Sequence, residues 1–396
     1  MAKAQALPLE QGFYMGMHRL RPGEIKVGAP LPYDAYDADG RLLLRRGAVV
    51  TSEMQVERLL ESGLFRDAPP SSAVLVGTTA RPVERERVSV FQRLDDLRGR
   101  LAALLIPAPK SDQFSTQLLA AATEVQGACD LDLDAAVASV LLSRWMPYSA
   151  RHCCNCAVIC EALGRQLEWS AEQPLSMLAG ALTMNVAMME LEDTLYGQKE
   201  PLDEAQRTQL RAHPSAGRAL LQDLGVTDTV WLACVEQHHE GLDGSGYPQG
   251  SSADALLREA RVLAIADKYC TTVSERAYRD GAPAEAALRQ MLVSQGKGLD
   301  TELAARLVRE VGLYPPGSVV ELNNGEIGVV IKHTLDARHP VVRVVTSSQG
   351  RPLPEYPKRL TSKQPFGVKA AVSPARLGAD FDPVALWNPT LVEREE

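Results

Sequence analysis

Two adjacent histidines, His238 and His239, are the residues of this chain best suited to chemistry, because they run directly into a Gly-rich acidic loop. Neighbouring imidazoles near a helix end can bind one metal ion or contact two, and imidazole is the commonest metal ligand in proteins. The loop that follows, 240–248, supplies the carboxylate of Asp243, two glycines for a tight backbone and a closing Tyr-Pro pair. Packing explains this pattern poorly, and a metal site explains it well.

The segment 238–248 matches every fixed position of the pattern HHExxDGxGYP. It thereby resembles the signature of the HD-GYP family, metal-dependent phosphodiesterases of the bacterial messenger cyclic di-GMP. The loop positions that match are Asp243, Gly244, Gly246, Tyr247 and Pro248. A match at all fixed positions rarely arises by chance, so the motif is very specific. The resemblance implies an all-helical module.

The His-Asp pair for which that family is named is missing here. In the family its Asp bridges two metal ions, but the equivalent segment of this chain has Met184 and Asn185. Asn185 offers one neutral carbonyl oxygen, and the thioether of Met184 suits iron(II) or manganese(II) poorly. We therefore expect no intact catalytic residue. A simpler interpretation is that 182–189 is a buried helix with no catalytic role.

The outer metal ligands that the resemblance implies are all present. They are His152, His213, His238, His239 and Asp267. The family's arrangement places the three histidines 213, 238 and 239 around one metal position and the other two residues at a second. We expect the three-histidine position to bind one divalent ion (iron, manganese or another) or none. The two-ligand position is expected to stay empty.

Three residues on the substrate side are also retained. Arg276 and Arg279 lie where the family places basic residues that meet the phosphates of its ligand, and guanidinium groups suit that task. Surface salt bridging is the alternative for both. Tyr247, the tyrosine of the GYP loop, is the third expected ligand contact. Two departures accompany them, because Tyr148 and Met188 replace a Glu and a Lys found in family members.

Three functions fit these residues. The first, which we favour, is a degenerate HD-GYP protein that senses a cyclic dinucleotide or binds proteins, with GGDEF-domain diguanylate cyclases as the partner class that the resemblance implies. The second is a weak phosphodiesterase that uses one metal at the three histidines, with Asn185 as an auxiliary ligand. The third is a structural scaffold.

Four cysteines within eight residues, Cys153, Cys154, Cys156 and Cys160, suggest zinc at first. No second CxxC or Cys/His pair stands at a zinc-site spacing, and a helix would spread these thiols over several faces. We therefore expect small buried cysteines. An odd total of 7 cysteines and the absence of a secretory signal at the start of the sequence indicate a reducing cytoplasm.

The charge composition argues against two classes of binding partner. The chain has 396 residues, 23% of them charged, and a formal net charge of −8. This acidic balance argues against nucleic-acid polymers and anionic membranes, which need a basic face. No apolar run approaches the ~20 residues of a membrane span. We therefore expect a cytoplasmic protein.

The order of patterns predicts a mainly α protein with small β-rich regions at both ends. We expect a β-rich domain over 1–67, a linker over 68–85, the helical HD-GYP module over 86–312 and a β-rich extension over 313–396. An amphipathic helix over 86–105 is long enough to form a homodimer. Further helices are predicted over 114–127, 131–145, 152–167, 174–192, 203–223, 228–239, 255–273, 283–295 and 301–311.

Strands are predicted on either side of the helical module. In the first domain we expect a strand within 25–36, another at 42–44 and a short helix over 52–62. After Gly312, short β segments within 313–322, 328–332 and 341–345 are separated by turn signals such as Asn324-Gly325.

Overall fold

A computed structural model describes residues 85–106, 113–167, 169, 173–293, 298–353, 355–377, 381–387 and 390–393, and in the first part of the chain only 17–19, 27, 35–36, 42–44, 49–50, 56 and 65–67. The chain divides into two compact units, Met1–Pro82 and Val83–Glu396. The predicted four-part division, with boundaries at 67, 85 and 312, stays a prediction.

Four short strands are described in the first unit: β1 (Met17–Arg19), β2 (Ala35–Tyr36), β3 (Leu42–Leu44) and β4 (Phe65–Asp67). They form an antiparallel sheet in the order β1-β4-β2-β3. The predicted strand at 42–44 is therefore confirmed. The predicted helix over 52–62 and the linker lie outside the described residues, apart from Val56 and Arg85.

The second unit is mainly α-helical, as predicted. Its described helices are α1 (Val90–Leu105), α2 (Phe114–Leu131), α3 (Leu133–Leu142), α4 (Tyr148–Gly164), α5 (Gln173–Thr183), α6 (Met189–Gly197), α7 (Glu204–Asp223), α8 (Thr229–Gln237), α9 (Arg258–Val273), α10 (Ala284–Leu292) and α11 (Thr301–Val311). Capping side chains determine where several of these helices begin. Asp203, for example, accepts from the backbone N–H of Gln206 in a capping box that opens α7. Among the described helices, none is long and apolar enough to cross a bilayer.

One predicted helix, 174–192, is wrong in its extent. The chain leaves the helix after Thr183 and passes through tight turns, with Val186 N–H donating to Thr183 O and Met188 N–H to Asn185 O, before α6 begins at Met189. The hydroxyl of Thr183 donates to the carbonyl of Ala179, and such a back-bond bends helices. The segment that holds Met184 and Asn185 is therefore a turn between two helices, and the interpretation as one buried helix is corrected.

Helix α4 is the centre of the core. Every side chain from Tyr148 to Leu163 is buried, and the helix packs against α1, α2, α3, α5, α6, α9 and α11. A helix enclosed on all sides needs small or apolar residues around its whole circumference. This explains the clustered cysteines, all of which are free and buried. Among the described residues they form no ligand group with one another, so the expectation of small buried cysteines holds, with Cys156 as a partial exception described below.

The C-terminal part folds as a five-stranded antiparallel sheet in the order β10-β6-β7-β8-β9. Its strands are β6 (Val319–Leu322), β7 (Ile327–Lys332), β8 (Val341–Thr346), β9 (Lys358–Leu360) and β10 (Val368–Ala371). The first three were predicted, and Gly325 N–H closes the predicted turn on Leu322 O. The other two were missed. So was the pairing of β5 (Arg85–Val88) with β11 (Thr390–Glu393), which joins the two ends of this unit.

Candidate metal centre

Three imidazoles meet between α7 and the end of α8. His213 lies within α7, His238 caps the C-terminus of α8, and His239 follows it in the next turn. Their ligand atoms lie within 4.8 Å of one another. His213 and His238 are buried, whereas His239 has about 24% of its side chain exposed. The structure thus brings together the three histidines that the sequence assigns to one metal position.

Backbone contacts fix the orientation of the two buried rings. The Nδ1 of His213 lies 2.6 Å from the carbonyl of Leu210, and the Nδ1 of His238 lies 2.8 Å from the carbonyl of Val235. Both Nδ1 atoms must therefore carry the proton of a neutral ring. The two Nε2 atoms, 3.1 Å apart, then face each other with lone pairs. A cation between them resolves this repulsion, so the donor set fits a divalent metal.

Protonation of one of these rings relieves the repulsion between the Nε2 lone pairs less well than a metal ion does. Burial, and next the charge of His239, lower the pKa of His213 to about 4. The same two causes hold the pKa of His238 well below its usual range. Burial also lowers the pKa of His239. Near neutral pH all three rings are neutral, which is the form that binds metal.

A second group lies beside the first and joins α4 to α9. The Nε2 of His152 is 2.9 Å from Oδ1 of Asp267, and Oδ2 of Asp267 is 3.8 Å from Nδ1 of His239. Asp267 therefore lies between the two groups. Burial alone would raise the pKa of Asp267, but the hydrogen bond with His152 and the charge of His239 bring it far below its usual range. Its anionic form is thus strongly favoured.

Cys156 and Glu192 also lie at this second group, although the sequence predicted a site role for neither. The thiol sulfur of Cys156 is 3.8 Å from His152 Nε2, one helical turn along α4. The carboxylate of Glu192, in the first turns of α6, is 3.9 Å from the same nitrogen. Burial raises the pKa of Glu192, although the charge of His152 opposes this. Glu192 is one of three acids close together in the sequence, with Glu190 and Asp193, so no local pattern singled it out.

Asn185 and Met184 occupy the positions of the missing pair in different ways. The amide of Asn185 donates through Nδ2 to Glu192 Oε2 at 2.7 Å, and its Oδ1 has no hydrogen-bond partner among the described residues. Met184 is fully buried in the apolar core. Asn185 therefore belongs to the site, whereas Met184 packs as an ordinary core residue.

A chain of contacts leads from Arg276 to the second group. Arg276 donates through NH2 to the hydroxyl of Tyr148 at 3.0 Å, and that hydroxyl lies 3.4 Å from Nδ1 of His152. The guanidinium also lies over the Tyr148 ring, 4.3 Å from its centroid. Half-buried Arg276 thus reaches the site, and its Nε has no partner within the described part of the chain.

Arg279 lies in a different environment. Its NH1 and NH2 groups donate to the backbone carbonyls of Thr271, Thr272 and Asp280 around the end of α9. These bonds use the donors that a phosphate would need. The guanidinium of Arg276 thus lies toward the site, whereas that of Arg279 is bonded to the backbone, and both predicted phosphate contacts stay predictions.

The loop 240–252 is held by carboxylates and by close backbone contacts. Glycine is needed at position 244, which has φ +74, and at 246, where a Cβ would come within 2.4 Å of Glu240 Cα. Asp243 accepts from the N–H and hydroxyl of Ser245, so it shapes the loop. The ring of Tyr247 stacks on His239 with 4.7 Å between centroids.

Glu240 anchors the same loop through three backbone donors. Its carboxylate accepts from the N–H groups of Gln249, Gly250 and Ser251 at 2.6, 3.1 and 3.0 Å. Because Glu240→Ala leaves these donors without their acceptor, we expect the free energy of unfolding to fall by about 2 kcal/mol. Urea unfolding measures this change. Exposed Glu190→Ala is the control, and equal losses in both variants would contradict the anchoring role.

A cavity of about 310 Å³ lies away from both groups. It is bordered by Arg151, Tyr196 and Ser274 of the helical part and by residues 317–319 of the C-terminal sheet. No member of the two ligand groups lines it. The candidate metal centre therefore depends on the convergence of side chains and does not coincide with this cavity.

Comparison with known proteins gives the following relatives. Residues 136–303 match a family model described as HD domain. A cyclic di-GMP phosphodiesterase of Pseudomonas aeruginosa is 28% identical over 376 residues, which cover 87% of this chain and 86% of that protein. The 3'3'-cGAMP-specific phosphodiesterase 3 of Vibrio cholerae is 29% identical over 169 residues, 43% of this chain and 36% of that protein. Among solved structures, an HDG"Y"P protein from Bdellovibrio bacteriovorus aligns with a TM-score of 0.48 and 15% identity over 74% of this chain and 98% of that chain.

Proposed function

Because this chain is a member of the HD-GYP family with an HD domain over 136–303, we propose that it binds a cyclic dinucleotide and a divalent metal but hydrolyses the nucleotide poorly. One observation carries the proposal. The residue at 185 is a neutral amide whose donor is used on Glu192, so no anionic side chain stands at the position that bridges the two metal positions in the family. The protein then acts as a sensor of its ligand.

The metal that the family implies would neutralise phosphate charge and activate water when bound. The imidazoles of His213, His238 and His239 would hold it. The Nε2 atoms of His213 and His238 are 3.1 Å apart, and ligand atoms of all three rings lie within 4.8 Å of one another. Asp267 supplies the negative charge beside them. Through that metal these residues would bind and position a phosphate group, which is sufficient for recognition.

Groups around the metal centre suit the rest of a dinucleotide. The half-buried guanidinium of Arg276 lies beside the site, and phosphate oxygens are natural acceptors for guanidinium groups. The ring of Tyr247, stacked on His239 and 5.7 Å from the guanidinium carbon of Arg211, offers a face for a base. Contacts with GGDEF-domain proteins and a homodimer stay predictions.

The weak phosphodiesterase remains a second candidate because of one atom. Oδ1 of Asn185 is buried without a hydrogen-bond partner among the described residues, and an amide oxygen is an acceptable auxiliary ligand for a hard metal ion. Its neutral charge would support much less rate than a carboxylate. A scaffold without ligand has no specific observation in its favour.

Calorimetric titration with cyclic di-GMP and with 3'3'-cGAMP, in the presence of Mn(II), tests the proposal together with chromatography of the products. We expect binding without turnover over hours, and about tenfold weaker binding for Arg276→Ala, equivalent to ~1.4 kcal/mol. Arg289→Ala, which removes a largely exposed guanidinium on α10, is the matched control. Turnover within minutes would favour the enzyme, and no binding of either nucleotide would leave the scaffold.

A further inference from the structure

We propose that Glu192 completes a second divalent-cation position with His152 and Asp267, in place of the carboxylate that position 185 lacks. This inference deepens the proposed function, since it concerns the same pocket. It also contradicts the expectation that the two-ligand position stays empty. The sequence alone showed two ligands there, and the structure adds a third from another helix.

The three side chains converge from three separate helices. His152 comes from α4, Glu192 from α6 and Asp267 from α9. The Nε2 of His152 is the shared point, at 2.9 Å from Asp267 Oδ1 and 3.9 Å from Glu192 Oε1. One imidazole and two carboxylates form a donor set that iron(II) and manganese(II) accept readily.

The ligands are held in place by neighbouring groups. Thr271 donates its hydroxyl proton to Asp267 Oδ1 at 3.1 Å, and Asn185 donates to Glu192 Oε2 at 2.7 Å. The hydroxyl of Tyr148 lies beside Nδ1 of His152 and is itself fixed by Arg276. Each ligand therefore has the outer partner that orients metal ligands in proteins.

Charge also favours a cation at this point. Asp267 is largely buried and anionic, and Glu192, only 5% exposed, gives up its proton when a cation lies beside it, so the pocket can supply two negative charges away from water. Arg276 contributes one positive charge nearby, but one of its NH groups is used by Tyr148. Burial of excess negative charge is costly unless a cation accompanies it. A divalent ion between the three ligands supplies that charge.

The residue types at positions 185 and 192 are matched in charge and hydrogen bonding. An Asp at 185 would set its carboxylate about 2.7 Å from that of Glu192, where like charges repel. An Asn at 185 instead donates a hydrogen bond to Glu192. The amide at one position therefore suits the acid at the other, and the pocket keeps an anion although residue 185 has lost its charge.

Cys156 is the competing third ligand. Its sulfur lies 3.8 Å from His152 Nε2, and the ligand atoms of His152, Cys156 and Asp267 all lie within 4.8 Å of one another, whereas Glu192 approaches only His152, at 3.9 Å. Thiolate suits softer ions such as zinc, whereas carboxylate oxygen suits manganese(II) and iron(II). Substitution of each residue separates the two assignments.

The experiment measures the number of metal ions bound per chain and does not depend on catalytic activity. The full chain is stripped with chelator, dialysed against Mn(II) and analysed for bound metal, with circular dichroism as a check on folding. We expect about two ions per chain in the unaltered protein and in Cys156→Ser, and about one in Glu192→Gln. Glu190→Gln, an exposed acid of the same helix, should keep about two.

The opposite results overturn the assignment. If Glu192→Gln still binds both ions, or loses both, Glu192 is not a ligand specific to the second position. An unaltered protein that binds one ion or none also contradicts the assignment. Loss of an ion from Cys156→Ser alone assigns the position to the thiol. Failure of nucleotide binding would end the proposed function without altering these counts.

Discussion

Replacement of Met184 by His and Asn185 by Asp should leave hydrolysis of cyclic di-GMP almost unchanged, whereas the same pair combined with Glu192→Gln should raise it about a hundredfold. In the double variant, the introduced carboxylate at position 185 would face Glu192 at about the 2.7 Å that now separates the amide from the acid. Repulsion would then displace one carboxylate or force a proton onto it. In the triple variant, the new amide at position 192 would donate to the carboxylate at 185, and the negative charge would return to the bridging position.

The expected hundredfold gain corresponds to about 2.8 kcal/mol of transition-state stabilisation, at ~1.4 kcal/mol for each factor of ten. Chromatography of the linear product under single-turnover conditions with Mn(II) measures it. The matched control adds Glu190→Gln to the double variant, which removes one acid from the exposed face of α6 and should give no gain. A double variant as fast as the triple variant would show that Glu192 does not oppose a carboxylate at 185.

The metal-free protein should lose much of its stability between pH 6.5 and about pH 4. His213 has a folded-state pKa of about 4, below its ordinary value of 6.5, and burial is the main cause. Above pH 6.5 the ring is neutral in both states. Between the two values the unfolded chain binds a proton that the folded chain does not, so acid favours unfolding. For His213 alone the loss reaches about 3 kcal/mol.

Urea unfolding over this pH range, after removal of metal, measures the slope. His213→Gln should flatten the profile by about the same 3 kcal/mol, since glutamine does not titrate. Parallel profiles for His213→Gln and the unaltered protein would show that the buried imidazole does not carry the effect.

The sequence predicted those parts of the site that depend on local motifs. His238 and His239 are adjacent in the chain, and the family resemblance placed His213 at the same metal position, so the close approach of the three imidazoles could be anticipated. The mainly α architecture and the first three strands of the C-terminal sheet followed from periodicity. These features need little knowledge of long-range packing. The metal roles of the residues stay predictions.

Glu192 could not be found in the same way. A continuous helix over 174–192 rises about 1.5 Å per residue and would put residues 185 and 192 about 10 Å apart, too far for a hydrogen bond. Only the break after Thr183 brings their side chains together. At the break, the hydroxyl of Thr183 accepts a hydrogen bond from the indole of Trp231 on α8, a tertiary contact that no local sequence pattern shows. The pairing of β5 with β11 was missed for a similar reason, since its strands lie at opposite ends of the unit.

Chemical modification of the seven buried thiols reports when the folded core of this chain opens. All the cysteines are free and inaccessible in the folded protein, and burial raises the pKa of Cys153, Cys156 and Cys160 well above the usual range. Alkylating reagents and oxidants attack thiolates that they can reach. A thiol of α4 is therefore modified only when the central helix separates from its neighbours, so such modification reports disruption of the core itself.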